Sequence, residues 1–511
     1  MDGRDQPTET ELKLNFPPEA EAVLAGHPAL RSASAGPPEK RRIVTTYFDT
    51  TSEALKARGL SLRVRRADSE RVQTVKVDGD GGLAASRGEW EWPIQDERPD
   101  LTLLEKTPAA ERLPPLAAND LQPVLVTDVV RTQRRLRLEN NAIVEAAFDR
   151  GSIIAGDARA PICELELELR EGEAGPLYRL ALQLHQATPL TLGVESKAAR
   201  GYRLRSGAAP HAKTARPPKL DPKIGAAAAF RDIVVSELGD LIANQPAAHA
   251  GDAEGVHQMR VGIRRLRSAL MLFAPYLEPK AAKRFQAELQ RTGRRFGEAR
   301  DWDVFCLEAL PAALDRAENI GWIDLLRPPA QMRRDAAHAE FVRALDDPAF
   351  TALVLGLAAW AEDGCAHDRL AGDKALRRPL ARIAPKLLDR LYRKVERRGG
   401  DVEKLGDQEL HALRKSLKKL RYGVEYLASL YPQKAVKAYV KRCKALQKSL
   451  GAINDAATAI RLAEGLSEGG RADLAGAVGA LARSVDRPKR KAMKSLSKKW
   501  RAFDDEPRFW R

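Results

Sequence analysis

Carboxylates recur at every second position in two segments of this chain. Glu9 and Glu11 alternate near the N-terminus, and Glu164, Glu166 and Glu168 alternate within ICELELELR. Because alternate side chains of a β-strand share a face, each segment predicts a row of carboxylates opposite a row of apolar residues. Adjacent like charges are unfavourable unless a counter-charge neutralises them. Carboxylate oxygens suit Mg²⁺ and Mn²⁺, so a divalent cation is a candidate for that counter-charge.

Cations alternate in other segments of the same region. Arg63 and Arg65 alternate in LSLRVRR, Lys76 follows Thr74 by two residues, and Lys13 continues the row that begins at Glu9. A sheet with one solvated face would explain any single row. It explains the set less well, since acidic and basic rows mostly fall on different strands. A closed sheet with a polar interior would hold a divalent cation and phosphate groups together.

The second half of the chain contains one basic pattern twice. HQMRVGIRRLR begins at His257, and HALRKSLKKLR begins 154 residues later at His411. Spacings of 3, 4 and 3 residues place a histidine and three cations on one helix face, beside an apolar face. A solvated face is the alternative, but the repeat favours an anionic ligand. The rows are His257, Arg260, Arg264 and Arg267, and His411, Arg414, Lys418 and Arg421.

The internal repeat extends beyond these rows. The same offset carries Gly297 onto Gly451 and Asp301 onto Asp455. It predicts two copies of one helical unit, arranged as two pseudo-symmetric bundles. We expect the two aspartates to orient the arginines rather than to contact a ligand. The copies need not bind equally, because Arg300 of the first is replaced by asparagine in the second.

The pattern of the sequence changes near residue 206. Short alternating runs before it predict strands, and long stretches with a period of 3.6 residues after it predict helices. The intervening SGAAPHAKTARPPKLDP, rich in proline, alanine and lysine, reads as a linker. We therefore predict an α+β chain with a β domain over 1–205, a linker over 206–222 and an all-α domain over 223–511.

Charge differs between the two regions. The net charge is +16 overall, −3 for residues 1–205 and +19 for residues 206–511, which predicts a polyanionic partner for the helical region.

We expect no membrane span, since no run of ~18 apolar residues occurs. The N-terminal residues lack the layout of a secretory signal, and Cys163, Cys306, Cys365 and Cys443 lack metal-ligand or redox spacing, so we expect a cytoplasmic protein.

The β region resembles the CYTH family of triphosphate tunnel metalloenzymes over residues 5–205. Glu9-Thr-Glu11-Leu-Lys13 matches its ExExK signature, and YFDT, LSLRVR, QTVK, RGEWE, Asp149-Arg-Gly151, ELELEL and SKAARGYRL follow in order. The resemblance implies an eight-stranded antiparallel tunnel that cleaves triphosphates with a divalent metal, Mg²⁺ or Mn²⁺. Inorganic triphosphate is the substrate we expect, because CYTH domains fused to a CHAD domain most resemble inorganic triphosphatases.

The resemblance also implies roles for individual residues. Metal binding and positioning of the attacking water fall to Glu9, Glu11, Asp149, Glu164 and Glu166. Phosphate binding falls to Lys13, Arg63, Arg65, Lys76, Arg131 and Lys197. The residues implied in catalysis are Glu9, Glu11, Lys13, Glu164 and Glu166, and the further candidates are Arg87, Arg134 and Glu168.

The helical region resembles the CHAD family over residues 220–511. The HxxR(x)₃[RK][RK]LR core occurs twice, and PRFWR at residues 507–511 is similar to the family's usual ending. The resemblance implies binding of inorganic polyphosphate in a basic channel, through the eight residues of the two rows, and association with polyphosphate granules. Arg294 and Lys448 coincide under the repeat and would extend this surface.

Two alternatives to an inorganic triphosphatase remain. One is a non-catalytic polyphosphate-binding or granule scaffold protein, and the other is a triphosphatase for thiamine or nucleoside triphosphates. Sequence-specific nucleic-acid binding is disfavoured, since no base-stacking aromatic motif accompanies the basic rows. Salt-sensitive, nonspecific binding to nucleic acid stays open.

Overall fold

The computed structural model describes residues 8–77, 83, 85–105, 107–114, 116–215, 217–315, 320–363, 378–467 and 474–511. The chain divides into two compact units. The first unit comprises Met1–Lys213, Leu238–Ala250 and Asp346–Asp363. The second unit comprises Thr214–Glu237, Gly251–Leu345 and Gly364–Arg511.

The first unit is built on an antiparallel sheet in the order β5-β4-β3-β2-β6-β7-β8-β1-β9. β1 also pairs with β5 over four residues, while β9 pairs with the other end of β1. The predicted α+β class is confirmed, but the sheet has nine strands instead of eight, because Thr191 and Leu192 add a short ninth strand. The strands are β1 (Thr8–Asn15), β2 (Glu39–Asp49), β3 (Leu60–Ala67), β4 (Glu70–Val77), β5 (Ala85–Pro93), β6 (Gln122–Arg137), β7 (Ile143–Ala155), β8 (Ala158–Glu171) and β9 (Thr191–Leu192).

Alternation along the strands separates a polar face from an apolar face. Leu12 and Leu14 are buried on one face of β1, whereas Glu11 and Lys13 lie on the other. The cross-strand register keeps each face continuous, since Lys13 lies opposite Glu166 and Leu14 lies opposite Leu165. The sheet therefore collects its charged side chains on one shared face, which we call the polar face.

Four helices accompany the sheet: α1 (Glu21–Ala25), α2 (Pro28–Ser32), α3 (Gly175–Ala187) and α4 (Lys197–Ser206). Ala198 and Tyr202 of α4 pack in an apolar cluster with Ile43, Val129 and Ile153 of the sheet. These three sheet residues belong to the same face as the charged side chains. Beyond its charged residues, this face of the sheet thus continues into an apolar patch, and helix α4 covers that patch.

The helical region contains twelve further α-helices within the described residues. The helices are α5 (Ala226–Ala243), α6 (Gln245–His249), α7 (Ala253–Phe273), α8 (Pro279–Val304), α9 (Leu310–Leu314), α10 (Ile320–Asp324), α11 (Arg327–Asp346), α12 (Pro348–Glu362), α13 (Leu380–Gly399), α14 (Asp407–Tyr426), α15 (Gln433–Ser467) and α16 (Ala475–Asp504). Three of these helices begin 154 residues after an equivalent helix, so the repeat seen in the sequence extends to the helix boundaries. The equivalent helices are α5 and α13, α7 and α14, and α8 and α15.

Each repeat helix presents an apolar face to the interior. Met259, Ile263, Leu266 and Leu270 of α7 are buried, as are Leu413, Leu417, Leu420 and Val424 of α14. This burial agrees with the apolar face that the helical period predicts beside each basic row. Helices α7 and α14 also contact each other directly.

No single helix of the described residues is long and apolar enough to cross a membrane. The consecutive helices α11 and α12 meet that test of length and composition only when they are taken together, which is weak evidence for a span. Cys163, Cys306 and Cys443 are free thiols, and Cys365 lies outside the described residues.

Candidate functional site

Three carboxylates form a buried cluster on the polar face of the sheet. Asp149 of β7 and Glu164 of β8 lie directly opposite each other, and Glu166 follows on the same face of β8. One oxygen from each lies within 4.8 Å of the others. Asp149 is 0% exposed, Glu164 2% and Glu166 8%, so the cluster is shielded from bulk water. Three hard oxygen donors at this separation fit a divalent metal ion.

Lys197 contacts all three carboxylates of this cluster. Its Nζ lies 2.8 Å from an oxygen of Asp149 and 2.8 Å from one of Glu166, and it also donates to Glu164. Lys197 is the first residue of α4, whose N-terminus is capped by the Ser196 side chain. Lys197 at the start of α4 thus places its positive charge among all three carboxylates.

Lys13 and Arg131 complete the network from the neighbouring strands β1 and β6. Lys13 donates to Glu166 and, at 2.6 Å, to Glu11. Arg131 donates two hydrogen bonds of 2.7 Å to Asp149, and its Nη2 lies 2.5 Å from Glu166. Such paired, charge-assisted contacts fix the guanidinium in position.

The pKa shifts agree with a network that stays fully charged. Burial favours the neutral acid, yet Lys13, Lys197 and Arg131 hold the pKa of Glu166 well below its usual value. Burial likewise opposes ionisation of Asp149, but Lys197 and Arg131 keep its pKa lowered. Burial disfavours the charged form of Lys197 too, and the carboxylates nevertheless raise its pKa well above the ordinary value.

Helix α4 is tied to the sheet by a buried hydrogen bond. The Tyr202 hydroxyl donates to Asp49 at 2.8 Å, and Asp49 is 0% exposed. Asp49 also accepts from the backbone amides of Thr50, Leu55 and Lys56 at 2.7, 2.9 and 3.1 Å. This fully bonded carboxylate fixes α4, and hence Lys197, relative to the strands.

A second charged group lies on strands β3, β4 and β5. Arg63 contacts Glu89 at 3.2 Å and Glu91 at 3.9 Å, and Arg65 contacts Glu91 at 3.9 Å. Lys76 lies 2.7 Å from Glu89. Three of the six cations predicted to bind phosphate are therefore brought together, each beside a carboxylate.

The two groups belong to one polar interior. Arg63 lowers the pKa of Arg65, and burial and Arg131 lower it further. Arg131 contacts two carboxylates of the buried cluster, so its effect on the pKa of Arg65 shows that the cluster and the charged group on β3–β5 are close enough to interact. Of the predicted residues, the structure thus gathers Glu11, Lys13, Arg63, Arg65, Lys76, Arg131, Asp149, Glu164, Glu166 and Lys197.

Other predicted residues lie elsewhere on the sheet or outside the description. Arg134 lies on the opposite face of β6 from Arg131, because it follows Arg131 by three positions and side chains alternate along a regular strand. Glu168 lies on the polar face opposite Glu11, where it contacts Arg170. The side chains of Glu9 and Arg87 lie outside the described residues, although their backbones pair with each other.

Three residues of the network escaped the sequence prediction. Glu89 and Glu91 alternate on β5 and therefore share a face, but the sequence does not show that they lie opposite Lys76 and Thr74 of β4. Arg200 contacts Glu164 at 3.2 Å and follows Lys197 by one helical turn. The i, i+3 spacing of the two cations on α4 is the signal that would have identified Arg200.

The repeat motifs form a second candidate site, in the second unit. Arg260 of α7 donates to Asp301 of α8 at 2.7 Å, and the equivalent Arg414 lies 3.7 Å from Asp455. Both contacts agree with the expectation that these aspartates orient the arginines. The contact is looser in the second copy.

The two basic rows lie close to each other. Arg264 of α7 donates to the Tyr422 hydroxyl of α14 at 2.9 Å. Burial, together with the neighbouring charges of Arg264 and Arg414, lowers the pKa of Lys418 to about 6. No ion pair is formed by Arg264 or Lys418 within the described ranges. Cations from both copies thus share a surface with few counter-charges.

The histidines that open the rows have different surroundings. Burial and Arg300 lower the pKa of His257 to about 4, so this imidazole is neutral near pH 7. His411 Nδ1 lies 2.5 Å from the Asn454 side-chain oxygen. The replacement of Arg300 by Asn454 therefore changes the histidine environment of the second copy.

The residues that end the rows also differ. Arg267 donates to Gln290 at 3.3 Å and has its pKa lowered by burial and by Arg294. Arg421 pairs with Glu425 at 3.2 Å and lies over the Tyr422 ring at 4.7 Å. Arg267, at the end of the first row, therefore has no carboxylate partner among the described residues, whereas the charge of Arg421, at the end of the second row, is partly neutralised by Glu425.

Comparisons with known families agree with this architecture. The CYTH domain model matches residues 7–202, and the CHAD domain model matches residues 233–464. The chain therefore contains a CYTH domain followed by a CHAD domain. The domain limits at 205 and 223 stay predictions.

Individual relatives match parts of the chain. The inorganic triphosphatase of Haemophilus influenzae is 36% identical over 164 residues, which are 32% of this chain and 45% of that protein. The chain thus spans less than half the length of that relative. The CHAD domain of the plant Ricinus communis is 28% identical and covers 57% of this chain and 97% of its own, with a TM-score of 0.49. HpAC1 from Hippeastrum, for which a dominant triphosphatase activity is described, is 19% identical over 39% of this chain and 96% of its own, with a TM-score of 0.30.

Replacing Lys418 should stabilise the protein in a pH-dependent way. Its folded pKa is about 6 and its unfolded pKa about 10.4, so the folding penalty is complete below pH 6 and fades as the pH rises towards the unfolded pKa. We expect Lys418→Met to increase the free energy of unfolding by about 1 kcal/mol or more at pH 6, and by less at pH 9. Thermal and denaturant unfolding at both pH values measure this. Lys437→Met, at an exposed position of α15, is the control, and an equal gain in both variants would contradict the prediction.

Proposed function

We propose that the N-terminal domain hydrolyses inorganic triphosphate in a metal-dependent reaction. The observation that carries this proposal is the buried cluster of Asp149, Glu164 and Glu166 within 4.8 Å, in direct contact with lysine and arginine side chains. Carboxylates and cations on one enclosed face match the two needs of phosphoryl transfer, which are metal binding and neutralisation of phosphate charge.

The chemical roles follow from the charges on the polar face. Asp149, Glu164 and Glu166 would hold the metal, with Glu9 and Glu11 as further predicted ligands. When bound, such a metal polarises a phosphoryl oxygen and lowers the pKa of a bound water. Arg131 and Lys197, released from the carboxylates, would then contact phosphate oxygens, together with Lys13.

The group on β3–β5 would extend the phosphate site. Arg63, Arg65 and Lys76 provide three positive charges, and Glu89 and Glu91 keep them paired and ordered. A triphosphate carries several negative charges along its length, so one group of cations could bind its far end while the other lies beside the scissile bond. Their side chains need only exchange a carboxylate partner for a phosphate oxygen.

Inorganic triphosphate is the substrate we favour among triphosphates. The Haemophilus influenzae relative is an inorganic triphosphatase, and its match to this chain is 36% identical. The ten predicted residues that the structure gathers on the polar face are all charged; such side chains bind phosphate groups and would not distinguish a nucleobase or a thiazole ring. Thiamine and nucleoside triphosphates are therefore weaker alternatives.

We also propose that the C-terminal domain binds inorganic polyphosphate. Arg264 and Lys418 lie in a shared basic surface without ion-pair partners among the described residues, and the region carries a net charge of +19. A polymer of phosphates would supply the missing negative charge along both rows. We propose in addition that the protein is cytoplasmic and associates with polyphosphate granules.

The hydrolytic proposal is tested by measuring phosphate release from tripolyphosphate, ATP, thiamine triphosphate and long-chain polyphosphate, with Mg²⁺ or with Mn²⁺. We expect tripolyphosphate to have the highest kcat/KM with at least one metal. Absence of release from every substrate would favour a non-catalytic scaffold. A preference for ATP or thiamine triphosphate would overturn the proposed substrate.

Glu164→Gln should lower kcat/KM for tripolyphosphate at least about a hundredfold, since it removes a charged oxygen from the carboxylate cluster while preserving shape. Polyphosphate binding by the helical domain should be unchanged. Glu19→Gln is the matched control, because Glu19 is exposed on the first unit. Equal activity in the two variants would show that the cluster is not the hydrolytic site.

Arg264→Ala combined with Lys418→Ala should weaken polyphosphate binding at least about tenfold near physiological salt. Each lost phosphate contact should also lower the slope of log K against log salt concentration by about one. Calorimetric or fluorescence titration at several salt concentrations measures both quantities. An unchanged affinity and slope would place the polymer elsewhere, and triphosphate hydrolysis should be unaffected in this variant.

A further inference from the structure

The two repeats differ at a buried ion pair in the second unit. Arg265 of α7 donates to both oxygens of Glu237 at 2.8 Å, and its Nη2 approaches Glu237 at 2.6 Å. Arg265 and Glu237 are 5% and 0% exposed. The offset of 154 residues places Lys419 and Leu391 at the corresponding positions of the second copy. The second copy thus keeps the cation and lacks the carboxylate.

Lys419 is surrounded by other cations. Burial, together with the charges of Lys394, Arg267, Arg398 and Lys415, lowers its pKa to about 8. These residues come from three helices, α7, α13 and α14. We call Arg267, Lys394, Arg398, Lys415 and Lys419 the five-cation cluster. None of its members forms an ion pair within the described part of the chain.

Two members of the cluster are held in place by neutral acceptors. Arg398 Nη1 donates to the Ala412 carbonyl at 3.0 Å and to the Ser416 hydroxyl, which fixes the α13 guanidinium against α14. Arg267 donates to Gln290 at 3.3 Å. Such bonds position the cations without neutralising them, so the positive charge stays available for a ligand.

The basic surface continues beyond the cluster in a groove along α13. A cavity of about 420 Å³ is lined by Arg390, Arg393, Lys394, Glu396 and Arg397. Lys394 belongs to both the groove and the cluster. At the other side, Arg267 follows Arg264 by one helical turn in the basic row of α7. The row, the cluster and the groove are therefore continuous through shared or adjacent residues.

We infer that the five-cation cluster is a second phosphate-binding subsite, which holds the stretch of a polyphosphate chain that extends beyond the two basic rows. This inference rests on the proposed polyphosphate binding. The subsite exists only in the second copy, because Glu237 neutralises Arg265 in the first. A bound polymer would accordingly run from the rows across α14 towards α13, and the pseudo-symmetric repeats would bind it asymmetrically.

The test compares Lys394→Ala/Lys419→Ala with Lys437→Ala/Lys441→Ala. Both pairs remove two positive charges from the second unit, and Lys437 and Lys441 are exposed on α15 outside the cluster. Binding of long-chain polyphosphate is titrated at pH 7 at several salt concentrations. We expect the cluster variant to bind about tenfold more weakly, with a salt slope reduced by about two, and the α15 variant to change much less.

Equal affinities and slopes for the two double variants would overturn the subsite. If Lys394→Ala/Lys419→Ala fails to fold, Lys415→Ala replaces it, since Lys415 is exposed and its loss should still reduce the slope by about one. If Arg264→Ala/Lys418→Ala loses affinity for polyphosphate and the cluster variants do not, the second subsite is refuted while the proposed binding by the two rows stands. Absence of polyphosphate binding by the unaltered protein would remove the proposed function as well.

Discussion

Buried charge has to be matched by charge, and this constraint organises the N-terminal domain. Glu166 is 8% exposed and contacts Lys13, Arg131 and Lys197. Removing one partner of such a buried set leaves an uncompensated charge, which typically costs about 3–5 kcal/mol. The acids of β7 and β8 and the bases of β1, β6 and α4 therefore depend on one another. A ligand can enter only by replacing partners with equivalent partners, as a metal ion and a phosphate group together would do.

In the CHAD domain, by contrast, partly buried cations lie together without carboxylate partners among the described residues. Lys418 and Lys419 are partly buried among cations, and their pKa values fall to about 6 and about 8. Under the proposed function an external polyanion would supply the counter-charge, so binding of that polyanion should depend strongly on salt and chain length. In the first copy, the Arg265–Glu237 pair shows what an internally neutralised version of the same position looks like.

Periodicity predicted which side chains share a face, and it did so well. Glu11 with Lys13, and Glu164 with Glu166, lie on the polar face as alternation requires, and the repeat correctly matched Arg260–Asp301 to Arg414–Asp455. Cross-strand partners were not predictable, since register depends on the whole sheet. The contact of Arg200 with Glu164 depends on how α4 packs, so local pattern alone did not reveal it. The asymmetry between Glu237 and Leu391 lies outside the repeated motif, on helices that the motif does not define.

We propose that a metal ion takes the place of the cations that now contact the buried carboxylates. The most direct test of this exchange compares the Mn²⁺ affinity of Lys197→Met with that of the unaltered protein. Lys197 contacts all three clustered carboxylates, so its ammonium competes with a metal for the same oxygens. We predict that Lys197→Met binds Mn²⁺ about tenfold more tightly, a difference of ~1.4 kcal/mol, in a titration followed by electron paramagnetic resonance. Unchanged or weaker Mn²⁺ binding in Lys197→Met would contradict the account.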